Sequence, residues 1–242
     1  MGKHGKHRPL VRAAVGLACL GATPVEACRL ALVLALDVSS SVDAGEDRLQ
    51  RGGLAAALIA RDVQAAFLSS PDPVALFVFE WSGRYNQADL TEWVLIETPA
   101  DLRRVSERIA TSARSHDDFP TAMGHALGHA AVRMRDAPEC HRRTVDVSGD
   151  GVNNDGFGPQ IAYGAFDFAD VTVNGLVINA REFEAEIDLI DFFRAEVIRG
   201  PGAFVEIANG FADYERAMRR KLIREVSPQV MGETRAVASP KG

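Results

Sequence analysis

The sequence predicts a doubly wound α/β domain, a mostly parallel central sheet with helices on both faces, and three observations carry that prediction. Short, continuous, β-rich apolar runs recur at residues 31–36 and 74–79, as strands covered on both faces require, with a further strand at 171–178. Between them lie segments whose apolar residues recur at a helical period. Strands alternating with helices of this length favour parallel pairing through crossover helices. With 242 residues, 47% hydrophobic and 25% charged, the chain can build one such core, and its composition excludes a disordered, collagen-like or coiled-coil protein.

Residues 1–27 read as a secretory signal peptide. Lys3, Lys6, Arg8 and Arg12 form a positive n-region, residues 13–20 a short apolar stretch, and Val25-Glu26-Ala27 offers small residues for cleavage after Ala27. The apolar stretch is too short for a bilayer, which needs about 20 residues. No second run of that length follows, so a secreted or periplasmic protein without a membrane span is expected. Cleavage removes four basic residues and one acidic residue from a formal charge of −6, leaving −9. A nucleic-acid binder would carry a basic stripe, and none is evident.

The mature chain opens on Cys28 and a strand at 31–36 that ends at Asp37. Residues 45–68 follow as a helix, with Leu49, Leu54, Leu58, Val63 and Phe67 near helical spacing. Gly52-Gly53 interrupts that helix at about 1 kcal/mol per glycine against alanine, which points to close helix–sheet packing. Pro71 and Pro73 lead into the strand 74–79, and residues 93–96 form a short strand with polar flanks, placed at an edge. A helix at 99–111 puts Leu102, Val105 and Ile109 on one face, and an Ala-rich helix spans 121–134. Val145 and Val147 mark a strand, followed by the polar loop 149–158, a helix at 159–168, the strand 171–178, a helix at 187–197, a strand at 203–207 and a helix at 211–226. The domain therefore occupies 28–226, and residues 227–242, without periodicity, read as a flexible tail.

Three cysteines are too few for a disulfide scaffold or a four-cysteine zinc site, and Cys19 leaves with the signal. Cys28 stands nine residues before Asp37, and Cys140 ten before Asp150. If their strands are parallel neighbours in register, both cysteines lie at one edge of the sheet, and an oxidising compartment favours a Cys28–Cys140 bridge. Lipidation of Cys28 is the competing idea. Glu26 suits that processing poorly, so the bridge is preferred.

In doubly wound sheets, ligands bind beyond the carboxyl ends of the strands. The first strand ends in Asp37-Val38-Ser39-Ser40-Ser41, the Val145/Val147 strand in Ser148-Gly149-Asp150-Gly151, and Thr121 opens a helix after Asp117-Asp118-Phe119-Pro120. Asp37, Ser39, Ser41, Thr121 and Asp150 are hard oxygen donors, which suit Mg²⁺, Mn²⁺ or Ca²⁺ and not zinc. Each also has a plain structural use: Ser39 or Ser41 can cap the next helix, Thr121 its own, and Asp150-Gly151 can form a turn.

Asp37-Val38-Ser39-Ser40-Ser41 matches the Asp-x-Ser-x-Ser motif of von Willebrand factor type A domains. Thr121-Ala122-Met123-Gly124-His125-Ala126-Leu127 resembles their second motif, and Val147-Ser148-Gly149-Asp150-Gly151 their third. The order fits as well, and the resemblance covers nearly the whole mature chain. Within that family, the start just after a secreted Cys and the string Asp146-Val147-Ser148-Gly149-Asp150-Gly151 resemble a bacterial secreted subfamily known as a domain of unknown function. The resemblance implies a type A fold with one antiparallel edge strand. It also implies a metal-ion-dependent adhesion site (MIDAS) in which Ser39, Ser41 and Thr121 contact a divalent cation by their hydroxyls, and Asp37 and Asp150 act directly or through water. In the family, an acidic side chain of a protein partner often fills the remaining position. The chain departs from the usual pattern in having Asp118-Phe119-Pro120 before the threonine and Gly149 before the aspartate.

Other features carry less. His125 and His129 stand at a zinc-compatible spacing, but position 126 is Ala, not the Glu of a metalloprotease motif, and both read as structural. Asn153-Asn154-Asp155 either rims the metal site or makes a polar turn. Trp81, Tyr85 and Trp93 read as core or edge cover, and Asp117 and Asp118 as solvated loop residues. No dinucleotide fingerprint, phosphate-loop lysine or nucleophile elbow is present. The expectation is a non-enzymatic binding module engaging a protein partner through a cation. The alternative is a metal-assisted hydrolase of phosphates or esters at the same site, with Asp117 or Asp118 as base. A third reading is a degenerate domain that assembles without metal.

Overall fold

The apolar run after Cys28 becomes β1 (Leu30–Asp37), buried along its whole length. Successive side chains of a strand point to opposite faces, so Leu30, Leu32, Leu34 and Leu36 enter one hydrophobic core while Ala31, Val33 and Ala35 enter a second. A strand with two apolar faces belongs in the middle of a sheet covered on both sides. The computed structural model of the protein describes residues 1–2, 28–179 and 183–227, without the side chains of 183–187. The expected signal peptide, apart from its first two residues, and the tail beyond Ser227 lie outside the described residues.

After β1 come α1 (Ala44–Ile59), α2 (Arg61–Phe67), β2 (Val74–Trp81), β3 (Gln87–Asp89), β4 (Val94–Ile96), α3 (Pro99–Thr111) and α4 (Met123–Arg135). Then follow β5 (Arg143–Gly149), α5 (Pro159–Ala165), β6 (Val171–Ile178) and α6 (Phe183–Phe192), which runs into a π-helical turn (Phe193–Val197). The chain closes with β7 (Val205–Ala208), a 3-10 turn (Phe211–Asp213) and α7 (Tyr214–Val226). The sheet order is β3-β2-β1-β5-β6-β7, with β4 also on β2. Strands β2, β1, β5, β6 and β7 are parallel, whereas β3 and β4 run antiparallel along the free side of β2, two short pieces of one edge. Side chains of α1, α2, α3 and α7 fill one core, and those of α4, α5 and the π-helical turn fill the other.

Several boundaries differ from the sequence expectation. The helix expected over 45–68 is two helices, because Ala60 adopts an extended conformation (φ −64°, ψ 138°). The helix expected from Thr121 begins at Met123. Strand β3, Gln87-Ala88-Asp89, has no apolar pattern that could have announced it. Gly53 serves a helix–helix contact instead of a helix–sheet one: a Cβ there would stand 3.1 Å from Tyr214 Cδ1 and from the Glu215 nitrogen, both on α7, while Gly52 faces open space.

From β1 the chain crosses to β2 on one side and later returns to β5 on the other, which opens a crevice between the carboxyl ends of β1 and β5. Their register, Ala31 with Arg143 through Ala35 with Val147, carries Asp37 to the side of Gly149. At the other end the same register sets Cys28 opposite Cys140, and the two form a disulfide. The bridge joins residues 112 apart, and closing a loop of that size removes on the order of 4–5 kcal/mol of chain entropy from the unfolded state. The Cys28→Ser/Cys140→Ser pair is expected to lower the unfolding free energy by about 2–5 kcal/mol in a urea titration while keeping the native circular-dichroism spectrum. An unchanged midpoint would show that the bridge contributes nothing.

Candidate metal centre

Asp37 ends β1 with its side chain fully buried, at 0% exposure. Its Oδ1 accepts the Ser39 N–H at 2.8 Å, and its Oδ2 has no hydrogen-bond partner among the described residues. Ser39 Oγ lies 3.1 Å from Ser41 Oγ, and Ser41 donates to Asp150 Oδ1 at 2.6 Å. Thr121 Oγ1 donates to Ser39 Oγ at 3.3 Å. All five residues proposed from the strand ends therefore meet at the β1/β5 crevice. Above them is an open depression of about 320 Å³ lined by Ser40, Ser41, Thr121, Gly151, Val152 and Asn154.

The capping roles open to these hydroxyls are filled elsewhere. The N-cap of α1 is Asp43, whose carboxylate accepts the Gly45 and Glu46 N–H groups while Glu46 accepts the Asp43 N–H. The N-cap position of α4 is Ala122, and Asn153 Oδ1 accepts the Gly124 N–H there at 3.3 Å. Ser39, Ser41 and Thr121 cap neither helix, and their oxygens turn toward one another.

Residues that the motifs do not contain hold this arrangement. Gln50 Nε2 donates to the Asp37 carbonyl at 2.9 Å, and Arg114 Nη2 donates to the carbonyls of Val38 and Ser39 at 2.8 and 2.9 Å. The segment carrying Arg114 is anchored in turn, since Glu80 accepts the Ser115 N–H at 2.7 Å and pairs with the buried Arg51. Asn154 fixes Thr121 from both sides: its Oδ1 accepts the Thr121 N–H at 2.9 Å, and its own N–H donates to the Thr121 carbonyl at 3.0 Å. Asn153 and Asn154 thus stitch their loop to Thr121 and to the start of α4. Gly124 makes the stitch sterically feasible, because a Cβ there would stand 2.1 Å from the Phe157 carbonyl oxygen. At Gly149 a Cβ would approach Asp37 Oδ2 to 3.2 Å, which accounts for a small residue at that departure from the family pattern.

The features set aside earlier also find places. His125 stacks on Phe157 at 4.0 Å, and His129 Nε2 lies 2.7 Å from Asp89 Oδ1. Burial holds both imidazoles below their usual pKa. Asp117 and Asp118 are exposed loop residues. Trp81 is core, Trp93 packs on Phe77, and Tyr85, at 89% exposure, meets the His125 ring edge-on at 6.3 Å. Among the described residues, no three His, Cys, Asp or Glu side chains gather as a metal cluster. The donor set at the crevice is instead two carboxylates and three hydroxyls.

That set fits a hard divalent cation. Burial, and next the charge of Asp150, push the Asp37 carboxyl up to about 7. A buried carboxylate with an orphaned oxygen, a second carboxylate acting on it and three hydroxyls without a capping role together make a surplus of oxygen donors and negative charge.

The family model described as protein of unknown function (DUF1194) matches residues 27–230. No curated protein matches the chain. Among solved structures, proximal thread matrix protein 1 from the mussel byssus, with a zinc-occupied MIDAS motif, is 16% identical with a TM-score of 0.54, over 81% of this chain and 48% of its own. The pilus adhesin SpaC from Lactobacillus rhamnosus GG is 13% identical with a TM-score of 0.57, over 82% and 30%. A von Willebrand factor type A protein from Catenulispora acidiphila is 16% identical with a TM-score of 0.52, over 83% and 43%. The chain thus spans less than half the length of these structures. The fold it shares with them is the von Willebrand factor type A fold.

Two predictions follow from the geometry of the crevice. Gly124→Ala forces the loop off the start of α4, and about 1–3 kcal/mol of stability is expected to be lost in urea unfolding. The second concerns pH. Asp37 titrates near 7 when folded against an ordinary 3.8, so the folded state binds this proton more tightly than the unfolded state. Its contribution to stability is full below about pH 4 and is lost as pH rises toward 7. Asp146, raised to about 8 by burial, adds a slope of the same sign, so the readout is a difference between proteins. Without metal, Asp37→Asn should lose less stability than wild type between pH 5 and pH 8. Equal losses in the two proteins would contradict the assignment.

Proposed function

The chain belongs to the DUF1194 family of proteins of unknown function, and from that premise we propose that it is a secreted or periplasmic binding module that engages a protein partner through a divalent cation. Ser39, Ser41 and Thr121 would hold the cation by their hydroxyls, with Asp37 and Asp150 acting directly or through water. Mg²⁺ is the first candidate, and Mn²⁺ and Ca²⁺ share the required hardness. The observation that carries the reading is a chain of three hydroxyls, none used as a helix cap, that ends on the Asp150 carboxylate, next to a buried Asp37 whose Oδ2 has no hydrogen-bond partner among the described residues.

The cation supplies a positive centre that balances both carboxylates. Because three of its protein donors are neutral, it keeps affinity for an external carboxylate. An acidic side chain of the partner, entering through the depression beside Ser40 and Val152, is the complementary ligand. The zinc-occupied MIDAS motif of the mussel protein and the adhesin role named for the Lactobacillus protein support a binding function on this fold. The disulfide supports an oxidising compartment. The proposed activity is binding without turnover: Asp117 and Asp118, the bases a hydrolase would recruit, are exposed in their loop.

Thermal unfolding with Mg²⁺, Mn²⁺ or EDTA tests the reading. A ligand at 100 times its Kd that binds only the folded state adds about 2.7 kcal/mol. For a domain of this size that is a rise of roughly 5–10 °C. The rise should saturate in wild type and disappear in Asp37→Ala and Asp150→Ala. No rise at millimolar metal would overturn the proposed cation site. Turnover of simple phosphate or ester substrates that Asp37→Ala abolishes would make the site an enzyme's.

A further inference from the structure

At the opposite end of the sheet lies a cavity of about 770 Å³, within the ~300–1,000 Å³ range of small-molecule sites. Its walls are the start of β5, the start of β6, the segment ahead of β7 and the last turn of α7, which contribute Arg142, Arg143 and Arg224 together with Thr144, Asn174 and Phe204. The acidic residues on the lining are Asp170 and Glu225. Glu225 is committed to the interior, where its Oε1 accepts from Lys221 Nζ and from Asn174 Nδ2, each at 2.7 Å.

The arginines, by contrast, are uncommitted. Among the described residues, the side chains of Arg143 and Arg224 make no hydrogen bond and no ion pair, and Arg142 gives one N–H to the Glu225 carbonyl at 3.2 Å. Arg51, Arg84, Arg216, Arg219 and Arg220 elsewhere all meet carboxylates. The Arg224 guanidinium lies 3.7 Å from the centroid of the Phe204 ring, and stacking on a ring leaves the edge N–H donors of a guanidinium open to an acceptor in its plane. Next to Arg142, Arg29 gives its Nη1 and Nη2 donors to backbone carbonyls and repels Arg142. On a chain of formal charge −6, this concavity is a local reversal of sign.

We propose that this cavity is a binding site for a small anion carrying two or more phosphate or carboxylate groups, gripped by Arg143 and Arg224 with Arg142 at its back. A guanidinium presents paired N–H donors that match both groups in bidentate fashion, and a lining with three arginines offers donors to more than one anionic group on the ligand. The site is independent of the cation at the other end of the sheet.

Titration calorimetry with pyrophosphate and with citrate, in low-salt buffer stripped of divalent cations, tests it. At least one of the two should bind saturably at one site, and Arg143→Gln and Arg224→Gln should each weaken it by about tenfold or more, as the loss of a charged hydrogen bond does. Arg143 is half-buried without an ion pair and Arg224 is exposed with only its stack on Phe204 to lose, so both variants should keep the ligand-free thermal midpoint close to that of the wild type. Tighter binding of pyrophosphate would assign a phosphate-bearing ligand, and tighter binding of citrate a polycarboxylate. Failure of both anions to bind, or affinities unchanged in both variants, would overturn the proposal.

Discussion

The parallel register between β1 and β5 is the constraint on which the rest of the molecule depends. One alignment, Ala31 with Arg143, decides what stands beside what at both ends of the sheet. At the amino ends it brings Cys28 to Cys140, and at the carboxyl ends it brings Asp37 to the β5 terminus from which Asp150 follows. A slip of one residue would turn the leucine face of β1 toward the alanine face and exchange the contents of the two cores. The cores, with Leu30, Leu32, Leu34 and Leu36 on one side and Ala31, Val33 and Ala35 on the other, forbid that slip. Burial of apolar side chains thus fixes the position of polar ones about twenty ångströms away along the strand, at ~3.3 Å per residue.

The oxygen cluster is available because other residues have taken over the local tasks of the backbone around it. Asp43 and Glu46 cap α1, so the serines upstream need not; Asn153 bonds the Gly124 N–H in the first turn of α4, so Thr121 need not. The loop joining Asp37 to Asp43 is clamped from below by Gln50 and from the side by Arg114, both bonded to its carbonyls. A site on a loop held this way has the precision of a site on a rigid element, because few torsions are left to settle when a ligand arrives. The cost appears in Asp37, a carboxylate without solvent and with one idle oxygen, whose pKa rises as a result.

What the sequence revealed, and what it hid, follows from the range of the interactions. β1 and β2 were legible because both of their faces are apolar over residues 31–36 and 74–79, so each reads there as an unbroken hydrophobic run. β3 was not, because an exposed edge of three residues needs no pattern. The break at Ala60 has neither proline nor glycine to mark it. Asp37, Ser39, Ser41, Thr121 and Asp150 were legible as polar residues just beyond strand ends, where this architecture places ligands. Gln50, Arg114 and Asn154 were not, since each acts on a backbone group 13 to 76 residues away that no local spacing encodes. Glu80 did leave a trace: it is a charge inside an otherwise apolar strand, and a buried charge requires a partner such as Arg51.

The amino end of the sheet shows how a single alignment can also gather charge. Each cysteine of the bridge is followed by basic residues, Arg29 after Cys28, and His141, Arg142 and Arg143 after Cys140. Register that aligns the cysteines therefore aligns the arginines, and the repulsion between Arg29 and Arg142 is one consequence. Arg29 is accommodated by backbone carbonyls of Ala66, Phe67, Asp72 and Val226, which bind α2 and the end of α7 to this corner. Among the described residues, no carbonyls are arranged in that way around Arg143 or Arg224. The covalent bond holds the two strand ends together against like charge, and the hydrogen bonds compensate one guanidinium. The others are left to face a cavity, which is the arrangement that an anion from solution would complete.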